Sequence, residues 1–263
     1  MQTLFDMTGQ TILITGATGY LGRAMTLALA RAGAEVLING RSAERCKAFA
    51  EDLRAMGLMV RPAAFDVTAA DEVSGFFEAQ GAQPLNGLVN NAFAGAGGTI
   101  ETLSSESYGA SYDVTVVAAH RLIQGALPSL RRAIATGGSA SIVNILSMYG
   151  LVSPIPEVYD APQSTNPPSY GAAKAALGQL TRYAACEFGH EGIRVNAVAP
   201  GPFPAPALQQ QSPDFVARLC QRVPMKRIGS AEEIAGPVTF LLSPAASFVN
   251  GAVLTVDGGW TSW

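Results

Sequence analysis

The chain carries, directly after a short apolar run, the stretch Thr15-Gly16-Ala17-Thr18-Gly19-Tyr20-Leu21-Gly22. Its three glycines permit a tight turn, close approach of the backbone to a pyrophosphate, and packing of the next helix against a strand. A glycine-rich turn alone is weak evidence, but its place between a first strand and a first helix strengthens it. Because free N–H groups at the start of that helix would face phosphates, this turn is predicted to bind a dinucleotide.

Outward from this turn, short apolar runs alternate with segments of helical pattern. Several runs are apolar throughout, as in strands that helices cover on both faces. The alternation predicts an α/β fold, a doubly wound parallel seven-stranded sheet of Rossmann-like type, within a single domain over residues 1–263. The predicted strands are Thr11–Thr15, Glu35–Asn39, Met59–Phe65, Gly87–Asn90, Ser139–Ser147, Ile193–Ala199 and Val253–Val256. Helices are predicted near 20–32, 42–56, 69–80, 104–136, 169–190 and 230–242.

Prolines are concentrated in two stretches of the chain. Ten of the 16 lie within 154–168 and 200–213. Since proline disrupts helix interiors, both stretches are predicted to be non-helical loops. Each follows a predicted strand on the side of the sheet where ligands bind in such folds.

The composition excludes several classes of function. A net charge of -3 without a basic tract makes nucleic acid and anionic membranes poor partners. Cys46, Cys186 and Cys220 lack metal-ligand spacing, and His120 and His190 are far apart, so no metal site is expected. The three thiols are predicted to be buried and free, as in a reducing cytoplasm. The 48% hydrophobic content predicts an apolar surface that is partly buried between subunits.

Tyr170 and Lys174 are spaced so that both side chains lie on one face of a helix. A free phenol titrates near pH ~10, and a neighbouring ammonium would lower that value toward neutrality, as acid–base catalysis requires. Chance alone produces such a pair in roughly one chain of this composition in twelve. Ser147, at the end of the fifth strand, is the natural candidate to assist this pair.

The second strand ends in Ile38-Asn39-Gly40-Arg41-Ser42. A carboxylate there would hold the ribose 2′-hydroxyl of NAD, and none is present. Arg41 and Ser42 suit a 2′-phosphate instead, because guanidinium binds phosphate well. The alternative is a merely solvated arginine. NADP(H) is therefore favoured over NAD(H).

With these features, the chain resembles the short-chain dehydrogenase/reductase family, in its single-domain branch. The resemblance runs essentially from end to end, and the motifs are specific because they occur together in this order. They are the glycine-rich turn, Asp66-Val67, Asn90-Asn91-Ala92, Ser147, Tyr170-xxx-Lys174, Val195–Gly201 and Val256–Trp260.

The resemblance implies catalytic roles for three residues. Tyr170 would give a proton to a carbonyl oxygen or take one from an alcohol, and Ser147 would orient that oxygen. Lys174 would bind the nicotinamide ribose and lower the pKa of Tyr170. The implied cofactor-binding residues are Gly16, Thr18, Gly19, Tyr20, Leu21, Gly22, Arg41, Ser42, Asp66, Val67, Asn90, Ala92, Tyr170, Lys174, Pro200, Gly201 and Phe203.

Three positions depart from the family pattern. Tyr20 stands where the branch usually has glycine, and Phe93 replaces the usual glycine after Asn-Asn-Ala, narrowing the pocket near the cofactor. Thr115 stands where the branch usually has an asparagine that anchors a water-mediated proton relay. Thr115 is either a packed helix residue or a different holder of that water.

The segment 150–169 is longer than the family's spacing between the catalytic serine and tyrosine. It is predicted to be a proline-rich substrate loop, because long loops in compact domains are often lids. Tyr149 and Tyr159 lack a lysine four residues later and are expected to be pocket walls.

The predicted function is an NADP(H)-dependent oxidoreductase that interconverts a ketone and a secondary alcohol on a small or medium-sized substrate. The protein is expected to be a cytoplasmic homo-oligomer, a dimer or homotetramer. Two alternatives remain open. One is an NAD-dependent sugar-type dehydrogenase, and the other is a non-catalytic, cofactor-binding sensor or scaffold.

Overall fold

The computed structural model describes residues 4–81, 83–95 and 97–263. Seven parallel strands form one sheet in the order β3-β2-β1-β4-β5-β6-β7, which confirms the predicted fold class. The strands are β1 Thr11–Ile14, β2 Glu35–Gly40, β3 Val60–Ala64, β4 Gly87–Asn90, β5 Ala140–Ile145, β6 Ile193–Pro200 and β7 Val253–Val256. Each predicted strand is present, within about two residues at its ends.

Helices cover both faces of the sheet. They are α1 Tyr20–Arg31, α2 Ala43–Ala55, α3 Ala70–Gln80, α4 Ser105–Tyr112, α5 Ala118–Ala135, α6 Pro168–Phe188, α7 Pro206–Gln211, α8 Pro213–Arg222 and α9 Ala231–Leu242. Because side chains alternate along a strand, Ile12 and Ile14 of β1 pack on the side of α1 and α9, while Leu13 packs on the side of α5. Two apolar layers therefore enclose the sheet.

The region predicted as one helix over 104–136 is interrupted. A π-helical turn, Asp113–Val117, separates α4 from α5, and Thr115 lies in its middle. π-Helical turns are rare in proteins as a whole, but those that occur often lie at functional sites.

The prediction that both proline-rich stretches are non-helical loops was wrong for 200–213, whereas 154–168 is a loop with two short 3₁₀ turns. Pro206 and Pro213 are the first residues of α7 and α8. In the other stretch, Pro156 and Pro162 begin short 3₁₀ turns. The physical reason is that proline lacks an N–H that the first helical turn does not use, and its fixed φ suits that position.

The cysteine prediction was wrong in part. All three thiols are free, but only Cys46 is buried, whereas Cys186 is exposed and Cys220 is intermediate. The reason for Cys186 is that it lies on the outward side of α6. Within the described residues, no helix combines the length and apolarity needed to cross a membrane.

Candidate active site

Two cavities open at the carboxyl edge of the sheet, where the strand order reverses between β1 and β4. Ligands of doubly wound sheets bind at this point. One cavity, of about 700 Å³, lies over the glycine-rich turn and is called the dinucleotide cleft. The other, of about 440 Å³, contains Ser147 and Tyr170 and is called the substrate pocket. Phe93 lines both cavities and stands at their junction.

The glycine-rich turn has the geometry that a pyrophosphate needs. Gly16 has φ +62°, and a Cβ there would lie 3.1 Å from the Cα of Ala92. A Cβ on Gly22 would collide with the Gly16 carbonyl oxygen. No side chain caps the start of α1, and its first turn holds no acidic residue. Its free N–H groups and dipole therefore remain available to an anion.

The side chain of Asn91 fixes the shape of this turn. Its Nδ2 donates to the carbonyl oxygens of Thr15 (2.9 Å) and Gly16 (3.2 Å). The Thr15 hydroxyl in turn accepts from the backbone N–H of Asn91 at 2.9 Å. Sequence reasoning did not assign this role to Asn91, although the residue stands inside one of the motifs it identified.

Two guanidinium groups lie at the far end of the cleft. Arg41 and Arg45 both line it, and Arg45 Nη2 donates to the Thr18 carbonyl at 3.3 Å. Ser42 caps α2 by accepting from the Arg45 N–H. Burial opposes ionisation of Asp66, but hydrogen bonds from Thr68 and the charge of Arg41 outweigh it and lower the pKa of Asp66. Arg45 was missed in the sequence because one helical arginine carries no distinctive signal.

Most of the implied cofactor residues lie together. Those that line the dinucleotide cleft are Gly16, Thr18, Gly19, Tyr20, Leu21, Gly22, Arg41, Ser42, Asp66, Val67 and Ala92. Gly201 and Phe203 line the substrate pocket instead. Asn90 and Pro200 line neither cavity, because both side chains are buried in the sheet. Asn90 Nδ2 donates to Asn144 Oδ1 at 2.8 Å.

Ser147 and Tyr170 both border the substrate pocket. Ser147 follows β5, and its hydroxyl accepts from the Tyr149 N–H at 3.1 Å. Tyr170 lies in the first turn of α6, and the ring of Phe93 meets its ring edge-on at a centroid distance of 4.7 Å. Two hydroxyl groups thus face a space that is large enough for a small organic molecule.

Lys174 lies one turn after Tyr170 and is almost fully buried. Its Nζ donates to the Ile145 carbonyl oxygen at 2.6 Å and lies 5.6 Å from the centre of the Tyr170 ring. Because burial disfavours the charged form, the pKa of Lys174 falls to about 8.

The expected lowering of the Tyr170 pKa is not seen. Burial raises the pKa of Tyr170, the Ser147 hydroxyl offsets this only in part, and Tyr159 adds a further increase. That expectation was wrong for this geometry, because desolvation of the phenol dominates. Tyr170 therefore keeps its proton at neutral pH and is able to donate it.

Thr115 lies beside the lysine rather than in either large cavity. Its Oγ1 and Asn90 Oδ1 are both buried without a hydrogen-bond partner among the described residues. These two residues and Lys174 line one small cavity of about 10 Å³. A volume of about this size holds one water molecule, provided polar partners are present.

The loop between β5 and α6 forms one side of the substrate pocket. Tyr159 donates from its hydroxyl to that of Tyr149 at 2.8 Å, and its ring packs against Phe215 at a centroid distance of 5.5 Å. Arg218 of α8 donates to the Val158 carbonyl at 2.7 Å and forms an ion pair with Asp160. Sequence reasoning missed the contribution of α8, because nothing local links 213–222 to the loop.

Comparison with known proteins agrees with this geometry. A family model described as "Enoyl-(Acyl carrier protein) reductase" matches residues 16–261. The chain is 35% identical to gluconate 5-dehydrogenase of Gluconobacter oxydans, over 98% of this chain and 97% of the relative. It is also 35% identical to cis-4-hydroxycyclohexanecarboxylate dehydrogenase of Sinomonas cyclohexanicum, over 95% and 96% of the two chains.

A solved structure shows the same fold. The gluconate 5-dehydrogenase of Burkholderia cenocepacia, in complex with NADP and tartrate, superposes with a TM-score of 0.86 at 30% identity. The match covers 99% of this chain and 98% of that structure. The chain therefore belongs to the short-chain dehydrogenase/reductase family and is an NAD(P)-dependent oxidoreductase.

Proposed function

We propose that the protein interconverts a ketone and a secondary alcohol with NADP(H). The observation that carries this proposal is that Ser147 and Tyr170 face one pocket, which meets the dinucleotide cleft at Phe93. A bound nicotinamide supplies or accepts the hydride. The protein must then position the substrate carbonyl and exchange one proton with its oxygen.

The chain's own residues divide this work. The Ser147 hydroxyl orients the carbonyl oxygen within the pocket. Tyr170 gives that oxygen its proton during reduction, since burial keeps the phenol protonated at neutral pH. Lys174, held by the Ile145 carbonyl, places an ammonium group, whose pKa burial lowers to about 8, 5.6 Å from the centre of the Tyr170 ring. Thr115 holds a water in the small cavity beside Lys174, which gives the amine a neighbour for proton exchange.

The proton donor is tested with Tyr170→Phe, which keeps the ring and removes the acid. General acid catalysis contributes typically ~10²–10⁴-fold, so kcat for reduction of a ketone panel, followed by NADPH absorbance, should fall by about that factor. Tyr183→Phe is the matched control, because Tyr183 lies on the same helix but is exposed. Near-normal turnover of Tyr170→Phe would remove this residue from the mechanism.

The preference for NADP(H) rests on Arg41 and Arg45 at the end of the cleft. A 2′-phosphate would accept charge-assisted hydrogen bonds from either guanidinium. Calorimetry should show that Arg41→Ala weakens NADPH binding roughly tenfold and leaves NADH nearly unchanged. Arg31→Ala serves as the control, since Arg31 is exposed outside the cleft. Equal losses for both cofactors would count against this role of Arg41, and tighter binding of NADH than of NADPH to the wild type would favour the NAD-dependent, sugar-type alternative.

The loop over 150–169 is proposed to cover the substrate within a single-domain chain. In support, Tyr159, Asp160 and Asn166 of this loop line the substrate pocket. A substrate loop is expected to affect KM for the ketone more than affinity for the cofactor.

Self-association is proposed from the outer surface. Phe248 is fully exposed, and Leu254 on the edge strand β7 faces outward. Exposed apolar groups beside an unpaired strand edge are typical of protein–protein contacts. Light scattering on the purified chain should give the mass of a dimer or tetramer, and a monomer at micromolar concentration would reject the proposal. The cytoplasmic location stays a prediction from the sequence.

A further inference from the structure

The substrate pocket is lined by polar side chains, among them Ser164, Thr165, Asn166 and Ser212, and by six aromatic rings. The rings belong to Phe93, Tyr149, Tyr159, Tyr170, Phe203 and Phe215. Two of the tyrosine hydroxyls are joined to each other, because Tyr159 donates to Tyr149. The six rings offer flat apolar faces against which a ring-shaped substrate can pack.

Charged side chains are scarce in the lining of the substrate pocket. Among the described residues that line it, none is lysine, arginine or histidine, and Asp160 is the one acidic side chain. A carboxylate entering this space would lose hydration without gaining a cationic partner.

The nearby guanidinium does not supply that partner. Arg218 is engaged on two sides, by the Asp160 carboxylate and by the Val158 carbonyl oxygen. Asp160 belongs to the lining of the pocket and Arg218 does not, although the two side chains form an ion pair.

Resting on the ketone–alcohol activity proposed above, we propose that the pocket takes an uncharged alicyclic or aromatic ring ketone, or the matching secondary alcohol. Asp160, fixed by Arg218, rejects substrates that carry a carboxylate. The chain would then differ from the two relatives whose names give gluconate and a cyclohexanecarboxylate as substrates.

The test uses two ring ketones that differ only in the charge of one group, and a polyhydroxy keto acid. Methyl 4-oxocyclohexanecarboxylate, its free carboxylate and 5-ketogluconate are compared by kcat/KM with NADPH. The neutral ester should exceed the free acid by roughly tenfold or more, because like charges at a pocket disfavour binding. A preference for the free acid, or for 5-ketogluconate, would overturn the proposal.

A pair of loop variants isolates the role of Asp160. Asp160→Asn removes the charge and releases Arg218, so the ratio of kcat/KM for acid over ester should rise roughly tenfold. Glu157→Gln removes the same charge from an exposed loop position outside the pocket lining and should leave this ratio unchanged. If the ratio is unchanged in Asp160→Asn, this residue does not discriminate between the acid and the ester.

Binding separates the pocket inference from the proposed activity. If no ketone is turned over, calorimetry measures ester and acid binding to the protein loaded with NADPH. Tighter binding of the ester would uphold the pocket inference and reject the activity. Equal or weaker binding of the ester would overturn the pocket inference as well.

Discussion

Replacing Lys174 by methionine tests whether burial lowers the pKa of this lysine. Methionine keeps the unbranched shape of the side chain and removes the amine. Burial lowers the pKa of Lys174 from 10.5 to about 8. At about 1.36 kcal/mol per pKa unit, burying the charged form costs roughly 3 kcal/mol.

The sign of the pH dependence follows from which state holds the proton. Below pH 8 both the folded and the unfolded chain are protonated at Lys174, and the cost of the buried charge is complete. Between about pH 8 and 10.5 only the unfolded chain stays protonated, so the free energy of unfolding rises with pH. From pH 7 to pH 9.5 the free energy of unfolding of the wild type should rise by about 2 kcal/mol relative to that of Lys174→Met.

Urea unfolding of nucleotide-free protein at fixed concentration measures this difference. With a slope of about 3 kcal/mol/M, the midpoint of wild type should shift by roughly 0.7 M relative to the variant. Lys47→Met is the control, because Lys47 lies on an exposed helix face with a side chain 73% accessible. Its midpoint should follow that of wild type at every pH.

If the urea midpoints of wild type and Lys174→Met change with pH in the same way, burial does not lower the pKa of Lys174. If the variant does not fold, the same quantity is measured by NMR on wild type with labelled lysine side chains. The chain has only Lys47, Lys174 and Lys226, so three resonances are followed. A Lys174 resonance that titrates near pH 10.5, like an exposed lysine, would give the same negative answer.

Three further results are expected. Thr115→Asn should sustain or raise turnover, because the asparagine amide also reaches the small cavity beside Lys174. A collapse of kcat with the fold intact would show that the site requires threonine at this position. Asn91→Ala should weaken NADPH and NADH binding equally, about tenfold, since it removes the two hydrogen bonds that hold the glycine-rich turn. Calorimetry that shows a loss of affinity for one cofactor alone would contradict this. Shortening the loop over 150–169 should raise KM for the ketone and spare the NADPH Kd, whereas unchanged kcat and KM would assign the loop to assembly or stability.

Local patterns in the sequence were enough to predict the sheet. A buried parallel strand needs an apolar run such as Ile12-Leu13-Ile14, and a helix needs its own period, so both are legible from neighbouring residues. The glycine-rich turn was equally legible, because Gly16 has a positive φ and a Cβ on Gly22 would collide with the Gly16 carbonyl oxygen. The prediction of a loop around Pro206 and Pro213 was nevertheless wrong, since proline disrupts the interior of a helix but is favoured at its first position.

The sequence by itself determined the order of the seven strands along the chain, the phosphate-binding turn, and the pairing of Tyr170 with Lys174 on one helix face. Tertiary structure alone decided the pKa of Tyr170, because desolvation depends on rings such as Phe93 that arrive from distant segments. It also decided that Arg218 holds Asp160 at the pocket. Periodicity is a property of neighbours in the chain, whereas burial and charge pairing are properties of neighbours in space.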